Sequence, residues 1–419
     1  MRFGGKASVD RLRIIVLDSI VRLPMGGMAW HHLQYAMGLA ALGHDVYSFG
    51  DSNDYQWSCY DPARCVTDTD PSYGLDFAAR TFNRVGLGDR WAYYDAHTNR
   101  WLGPCGHRAE ELCASADLLI NLGNSNPLRS WYLGIPVRVL VDTDPAFTQI
   151  RNLTDPALRA RAFQHTAFFS FGENVTSGRS TVPDDGLPWQ PTRQPVVMDA
   201  WPVTPGPIQA RFSTVMQWDS YAVQEHQGRR YGMKSTSFEK FLDLPARLGQ
   251  VFELALGSVS APRALLRDKG WIVRDPTEPS RDLWSYQDYI QQSKGEFTVA
   301  KHGYVISKSG WFSERSAVYL ASGRPVVTEE TGFSEWLPTG TGILSFQDPE
   351  EAVDAIEEVV SRYEFHCRAA REIVKEFFDS NRVLARLIEG SFKRPPLKGQ
   401  TERSADFNVH EGSLDSATG

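Results

Sequence analysis

Short apolar runs alternate along this chain with longer stretches in which apolar positions recur every three or four residues. Ile14-Ile15-Val16-Leu17 is the first run, and four apolar residues without polar alternation predict a strand buried on both faces. A loop holding Gly26-Gly27 follows. A helix is then predicted from about Trp30 to Leu42, with Leu33, Met37, Ala40 and Ala41 on its inner face and Gly43 as its C-cap. Asp45 to Phe49 reads as the next strand, which completes a β-α-β unit with a glycine-rich first turn. Leu118 to Ile120 and Val137 to Val141 continue the series.

The pattern breaks in the middle. Seven prolines fall between Pro183 and Pro207, and proline continues neither a helix nor a central strand, so this segment reads as a wall or linker between two lobes. A second α/β series follows, with strand runs at Phe212–Met216, Val251–Leu256, Trp271–Val273, Phe297–Val299 and Pro325–Val327. Amphipathic helices are predicted near Pro349–Tyr363 and Phe365–Phe378. The alternation predicts an α/β protein with two Rossmann-like, doubly wound parallel-sheet lobes facing a cleft. The expected division is residues 1–205 and 206–380 for the lobes, 381–395 for a C-terminal helix crossing back, and 396–419 for a disordered tail.

Composition narrows the function. The 419 residues carry 44 Lys+Arg against 51 Asp+Glu, a net charge of −7. That balance lacks the strong basic field of a general nucleic-acid binder, so no nucleic-acid partner is expected. No apolar stretch is long enough for a transmembrane segment. The opening residues lack an apolar signal core, and the five cysteines form no C-x-x-C pair. A cytoplasmic location with reduced thiols follows as the expectation. The glycosylation sequons at Asn152 and Asn174 are then accidental.

The segment from Lys301 to Phe346 carries most of the candidate chemistry. Ser313 reads as an N-cap and Glu314 as a first-turn carboxylate. Small residues Ala317, Ala321 and Ser322 follow, then Gly323-Arg324-Pro325 before a strand. A carboxylate at that point either complements the helix dipole or takes two adjacent ribose hydroxyls. Gly26-Gly27, where a strand feeds a helix, is either a tight turn or a phosphate contact.

These residues resemble the donor-site signature of GT-B glycosyltransferases, in particular glycosyltransferase family 4. The matching landmarks are Glu314, Gly323-Arg324-Pro325-Val326-Val327, Gly332 and Glu335, with Gly26-Gly27, His31 and Gly43-His44 near the N-terminus. The resemblance implies a nucleoside-diphosphate-sugar donor held by Gly26, Gly27, Glu314 and Glu335. It also implies an arginine and a lysine five residues apart on the diphosphate, for which Arg229 and Lys234 have the spacing. Lys301, His302 and Lys308 are further cationic candidates for the diphosphate. Asp144, at the end of a strand, and His31 are the candidate catalytic groups.

Three departures qualify the match. Asp219 to Gly228 separate the Arg/Lys pair from the preceding strand, where the family has almost no insertion. Ile306 stands where a second glutamate contacts the donor sugar. Met28 stands where inverting relatives carry a base histidine, and a thioether takes no proton, which favours retention of anomeric configuration.

Asp142-Thr143-Asp144 and Asp68-Thr69-Asp70 match the Asp-x-Asp metal motif of another glycosyltransferase fold, but no metal and no cofactor beyond the sugar nucleotide are expected. The acceptor is expected to be a glycan or small molecule. A sugar-nucleotide epimerase of the same fold and a non-catalytic two-lobed binding protein remain alternatives.

Overall fold

The computed structural model describes residues 11–55, 57–206 and 210–393. The expected tail, 396–419, lies outside the described residues. In chain order the first part contains β1 (Arg13–Asp18), β2 (Asp45–Asp51), a small hairpin of β3 (Cys59–Asp61) and β4 (Val66–Asp68), and β5 (Trp91–Asp95). It continues with β6 (Arg100–Leu102), β7 (Leu118–Leu122), β8 (Val137–Asp142), β9 (Ala167–Ser170) and β10 (Gln190–Pro191). Eight of these form one sheet in the order β10-β9-β8-β7-β1-β2-β5-β6, parallel except for the edge pair β5–β6. The continuous apolar run of β1 is used on both faces. Ile14 and Val16 pack with Tyr35, Leu39 and Leu384, and Ile15 and Leu17 pack with Leu112 and Tyr132.

The second part contains β11 (Phe212–Gln217), a hairpin of β12 (Gln224–His226) and β13 (Arg229–Tyr231), β14 (Phe252–Gly257), β15 (Ile272–Arg274), β16 (Gly295–Thr298), β17 (Val326–Glu329) and β18 (Ile343–Phe346). Its main sheet is parallel throughout, in the order β15-β14-β11-β16-β17-β18. The fold is therefore two Rossmann-like parallel-sheet layers, as the alternation of runs predicts. The carboxyl ends of the strands, where open α/β sheets carry their ligands, lead into the facing loops.

Local details differ from the sequence expectation in three places. The first helix spans Gly26–Ala41, so the glycine pair forms its first turn and is not a loop before it. After the Arg229/Lys234 pair, where the sequence predicts one helix from about Thr236 to Ala246, the chain forms two short pieces, Lys234–Phe238 and Leu244–Leu248, with Pro245 at the start of the second. The Asp219–Gly228 departure begins an antiparallel hairpin, β12–β13, with a left-handed turn at Gln227 and Gly228.

The chain returns at its end. Val196 N–H donates to Phe378 O at 2.7 Å, and Ser380 N–H donates to Val196 O at 2.9 Å. The helix Ser380–Phe392 then lies on the first helix, where a Cβ on Gly38 would stand 2.6 Å from Leu384. The largest apolar cluster joins the two parts: Trp30 and Phe77 share it with Trp201, Leu283, Phe312 and Phe378. All five cysteines are free, and among the described residues no helix is long and apolar enough to cross a membrane.

Candidate active site

Glu314 opens the helix Glu314–Ala321 behind an N-cap that forms as expected: Ser313 Oγ accepts from Arg315 N–H at 3.2 Å. The small face of that helix, Ala317 and Ala321, is fully buried, which lets the helix seat closely on its sheet. Glu314 is half-buried and lines a narrow crevice with Gly27, Trp30, His31, Gln34 and Tyr286. The free volume there is about 20 Å³, room for one water molecule.

His31 faces Glu314 across this crevice. Burial lowers the pKa of its imidazole, and the neighbouring Glu314 charge only partly opposes the shift, so the ring is neutral at pH 7. His32 turns the other way, and its Nε2 accepts from Ser19 N–H at 3.3 Å. The 100° step between successive helix residues separates the two rings.

The glycine pair has a packing explanation that the sequence did not offer. A Cβ on Gly26 would lie 2.2 Å from Asp282 O, and one on Gly27 would lie 3.0 Å from the Tyr286 ring. The helix Leu283–Gln291 therefore rests directly on the first turn, and Trp30 Nε1 donates to Leu283 O at 2.9 Å.

Behind Glu314 lies a cluster of cations. Lys234 begins a short helix, is only 8% exposed, and makes no hydrogen bond or ion pair among the described residues. Burial and then the adjacent Arg315 guanidinium drive its pKa well below the usual lysine value, against the pull of Glu296 and Glu314. Lys301 and His302 start the helix His302–Ser307 just after β16. His302 Nδ1 accepts from Gly232 N–H at 3.4 Å, and burial lowers its pKa.

Asp144 joins the two parts of the chain. It leaves the end of β8 with 17% of its side chain exposed, and Lys301 Nζ donates to it at 2.8 Å. Arg151 donates at 3.0 Å, and the hydroxyls of Tyr221 and Tyr304 both donate to the same carboxylate. Although burial opposes ionisation, Lys301 and Arg151 hold its pKa down at about 2. Asp142 is satisfied separately: Ser170 Oγ donates at 2.7 Å, Gln149 Nε2 at 3.0 Å and Asp144 N–H at 2.9 Å. Among the described residues no group of three or more His, Cys, Asp or Glu side chains is arranged to hold a metal ion.

Two expected donor contacts lie apart from this crevice. Arg229 sits on the exposed β12–β13 hairpin, donates to Thr181 Oγ1 at 3.1 Å, and lines a separate cavity of about 570 Å³ with His226 and Leu153. Its five-residue spacing from Lys234 does not bring the two together, because the intervening backbone is extended and rises about 3.3 Å per residue. Glu335 ends the turn Phe333–Glu335 and pairs with Arg179 at 2.8 Å.

Four residues that sequence reasoning missed belong to the site: Arg315, Glu296, Tyr221 and Tyr304. Only Arg315 left a signal, because a cation in the first turn of a helix opposes the dipole and so marks a local rule broken.

No protein-family model matches the sequence, and a search of curated proteins finds no match. Solved structures do match. An α-glucosyltransferase in complex with UDP-glucose and DNA containing an abasic site aligns with a TM-score of 0.57 at 11% identity, over 91% of this chain and 100% of that one. Anabaena Alr3699/HepE in complex with UDP and glucose aligns with a TM-score of 0.51 at 11% identity, over 90% and 100%. A glycosyltransferase from Rickettsia africae ESF-5 aligns with a TM-score of 0.50 at 10% identity, over 91% and 98%.

The fold is thus the two-lobed GT-B type. One expectation is overturned. A chain similar in fold to this one is solved with DNA, so the −7 net charge gives no ground for excluding a nucleic-acid partner. Net charge averages over the whole surface, whereas a nucleic acid meets only the local field.

Proposed function

We propose that this chain is a glycosyltransferase of the family 4 type, which moves a hexosyl group from a nucleoside-diphosphate sugar to an acceptor hydroxyl. The observation that carries the reading is the crevice itself. A helix-opening carboxylate, Glu314, faces His31 and Gly27 of the other lobe, and a buried lysine without a partner, Lys234, lies behind it. Glu314 would take the ribose hydroxyls, which requires the crevice, with room for one water as it stands, to widen on binding. Lys234, Lys301 and His302, with the amides at Gly26-Gly27, would meet the diphosphate, and Arg229, on its outer hairpin, takes no part.

Residues 206–380 would hold the nucleotide sugar and residues 1–205 the acceptor. His31 and Asp144 would orient the reacting hydroxyls.

The reaction retains anomeric configuration in this reading. The bond from the anomeric carbon to the diphosphate oxygen breaks, a bond to the acceptor oxygen forms on the same face, and the acceptor proton passes to the leaving diphosphate. Protein cations meet the leaving-group charge, so no metal ion is required.

The test is a thermal-shift panel of UDP, GDP, TDP, ADP and CMP, followed by turnover of the matching sugar nucleotides. A ligand at 100 times its Kd raises stability by about 2.7 kcal/mol. UDP is the first choice because similar structures are solved with it, and the acceptor panel includes DNA as well as glycans for the same reason. Absence of any shift across the panel refutes the reading. Release of free nucleotide without an acceptor product would mark an epimerase.

A further inference from the structure

One charged pair at the wall of the crevice, Arg315 with the fully buried Glu296 behind it, has no role in this scheme. Arg315 follows Glu314 in the first turn of the same helix, yet its side chain turns into the sheet. Its Nε donates to Glu296 Oε1, its Nη1 to Val215 O at 2.8 Å and its Nη2 to Thr298 Oγ1 at 2.8 Å. Val215 lies on β11 and the other two on β16, so one planar fork ties the helix start to two neighbouring strands. Glu296 is 0% exposed, and its second oxygen has no partner.

A buried ion pair is poor evidence for stability by itself, since packed apolar residues of similar volume often serve as well. The pair does have a geometric consequence. Successive helix positions point about 100° apart, so pinning Arg315 into the sheet turns Glu314 outward into the crevice. The same guanidinium is the charge that acts most strongly on Lys234.

We propose that Arg315 and its anchor Glu296 are positioning residues for a nucleoside diphosphate. They fix the Glu314 carboxylate for the ribose and stand beside Lys234, where the diphosphate charge would lie. This rests on the reading of the crevice given above. Glu296 is fully buried and out of the ligand's reach, and the Arg315 guanidinium, although Arg315 lines the crevice, is held by the sheet.

The experiment measures calorimetric affinity for whichever of UDP, GDP, TDP and ADP the wild-type chain binds most tightly. The variants are Arg315→Lys, Glu296→Gln, Thr298→Val, Glu314→Ala and the double variant Glu296→Gln/Glu314→Ala, each checked for folding by thermal unfolding. Arg315→Lys keeps the charge and loses the fork, and should weaken binding at least tenfold. Glu296→Gln should do the same. Thr298→Val, which removes a single contact of Arg315, keeps the test open if either of those fails to fold, and should weaken binding about threefold.

The decisive readout is coupling. In the double variant the loss should fall well short of the product of the two single losses, because Glu314 is already misplaced. Folded Arg315→Lys and Glu296→Gln variants with wild-type affinity overturn the proposal, as does a double variant whose losses simply multiply. A wild-type chain that binds none of the four nucleotides overturns the underlying reading as well, so the two failures are distinguishable.

Discussion

Replacing Asp144 with asparagine should destabilise the protein by about 2–4 kcal/mol at pH 7, and the loss should vanish in acid. The carboxylate accepts from Lys301 at 2.8 Å and Arg151 at 3.0 Å, and from the hydroxyls of Tyr221 and Tyr304. Two of these partners, Lys301 and Tyr304, belong to the loop and helix after β16, so the contact spans the two sheets. Holding a carboxyl at about 2 instead of its ordinary 3.8 corresponds to roughly 2–3 kcal/mol in favour of the charged form. Asparagine keeps the shape but leaves two partly buried cations without a counter-charge, and breaking such a pair costs about 3–5 kcal/mol.

The sign follows from the depressed value. The contribution is complete above the unfolded carboxyl pKa near 4 and disappears as the pH falls through about 2. Urea unfolding of both proteins, followed by tryptophan fluorescence at pH 7, 5, 4, 3 and 2.5, should show a separation of midpoints that narrows between pH 4 and 2. A second check uses Lys301→Met. Its cost should be smaller in the Asp144→Asn background than in the wild type, because the pair is already broken. A separation below 1 kcal/mol at pH 7, or one that persists unchanged at pH 2.5, would refute the argument that this carboxylate clamps the two parts of the chain. Turnover of Asp144→Asn should also fall by roughly a hundredfold or more if the residue orients a reacting hydroxyl.

Three further outcomes follow from the structure and the proposed function. Glu314→Ala should weaken nucleoside-diphosphate binding by about 1.5–3 kcal/mol, the scale of a charged hydrogen bond, with little change in unfolding temperature, because its carboxylate is a crevice group outside the apolar core. Activity should survive EDTA, since the proposed leaving-group charge is met by lysines and by N–H donors; loss on chelation with recovery on manganese would assign Asp142 and Asp144 to a metal instead. Gly26→Ala should cost about 1–3 kcal/mol in thermal unfolding, because its Cβ meets the backbone carbonyl of Asp282 at 2.2 Å; an unchanged melting temperature would mean that the helix Leu283–Gln291 is free to shift.

Much of the architecture is legible in local pattern because a buried parallel strand must be a short apolar run and its crossover helix must carry a 3.6-residue stripe. Ile14–Leu17, Val137–Val141 and Phe212–Met216 all lie in central strands for this reason. Ser313 and Glu314 form the start of their helix because capping depends only on residues within one turn. The outer strands and the small hairpin were not legible. Ala167–Ser170, Gln190–Pro191 and the β12–β13 hairpin are strands because of neighbours that lie far away in sequence or pair across a turn of their own.

The site divides along the same line. Residue type and spacing along the chain determined that Glu314, Lys301 and His31 carry suitable chemistry near strand ends. Only the tertiary structure decided which of them meet. It brought Glu314 to His31, tied Asp144 to Lys301 across a sequence separation of 157, and left Arg229 on an outer hairpin despite its spacing from Lys234. It also gave Gly26 and Gly27 a packing role beneath Asp282 and Tyr286 that a glycine-rich turn does not announce. The physical reason is range. Propensity, capping and periodicity act within a turn or a strand, whereas ion pairing, burial and the approach of two backbones depend on distances that exist only after both sheets have packed against each other.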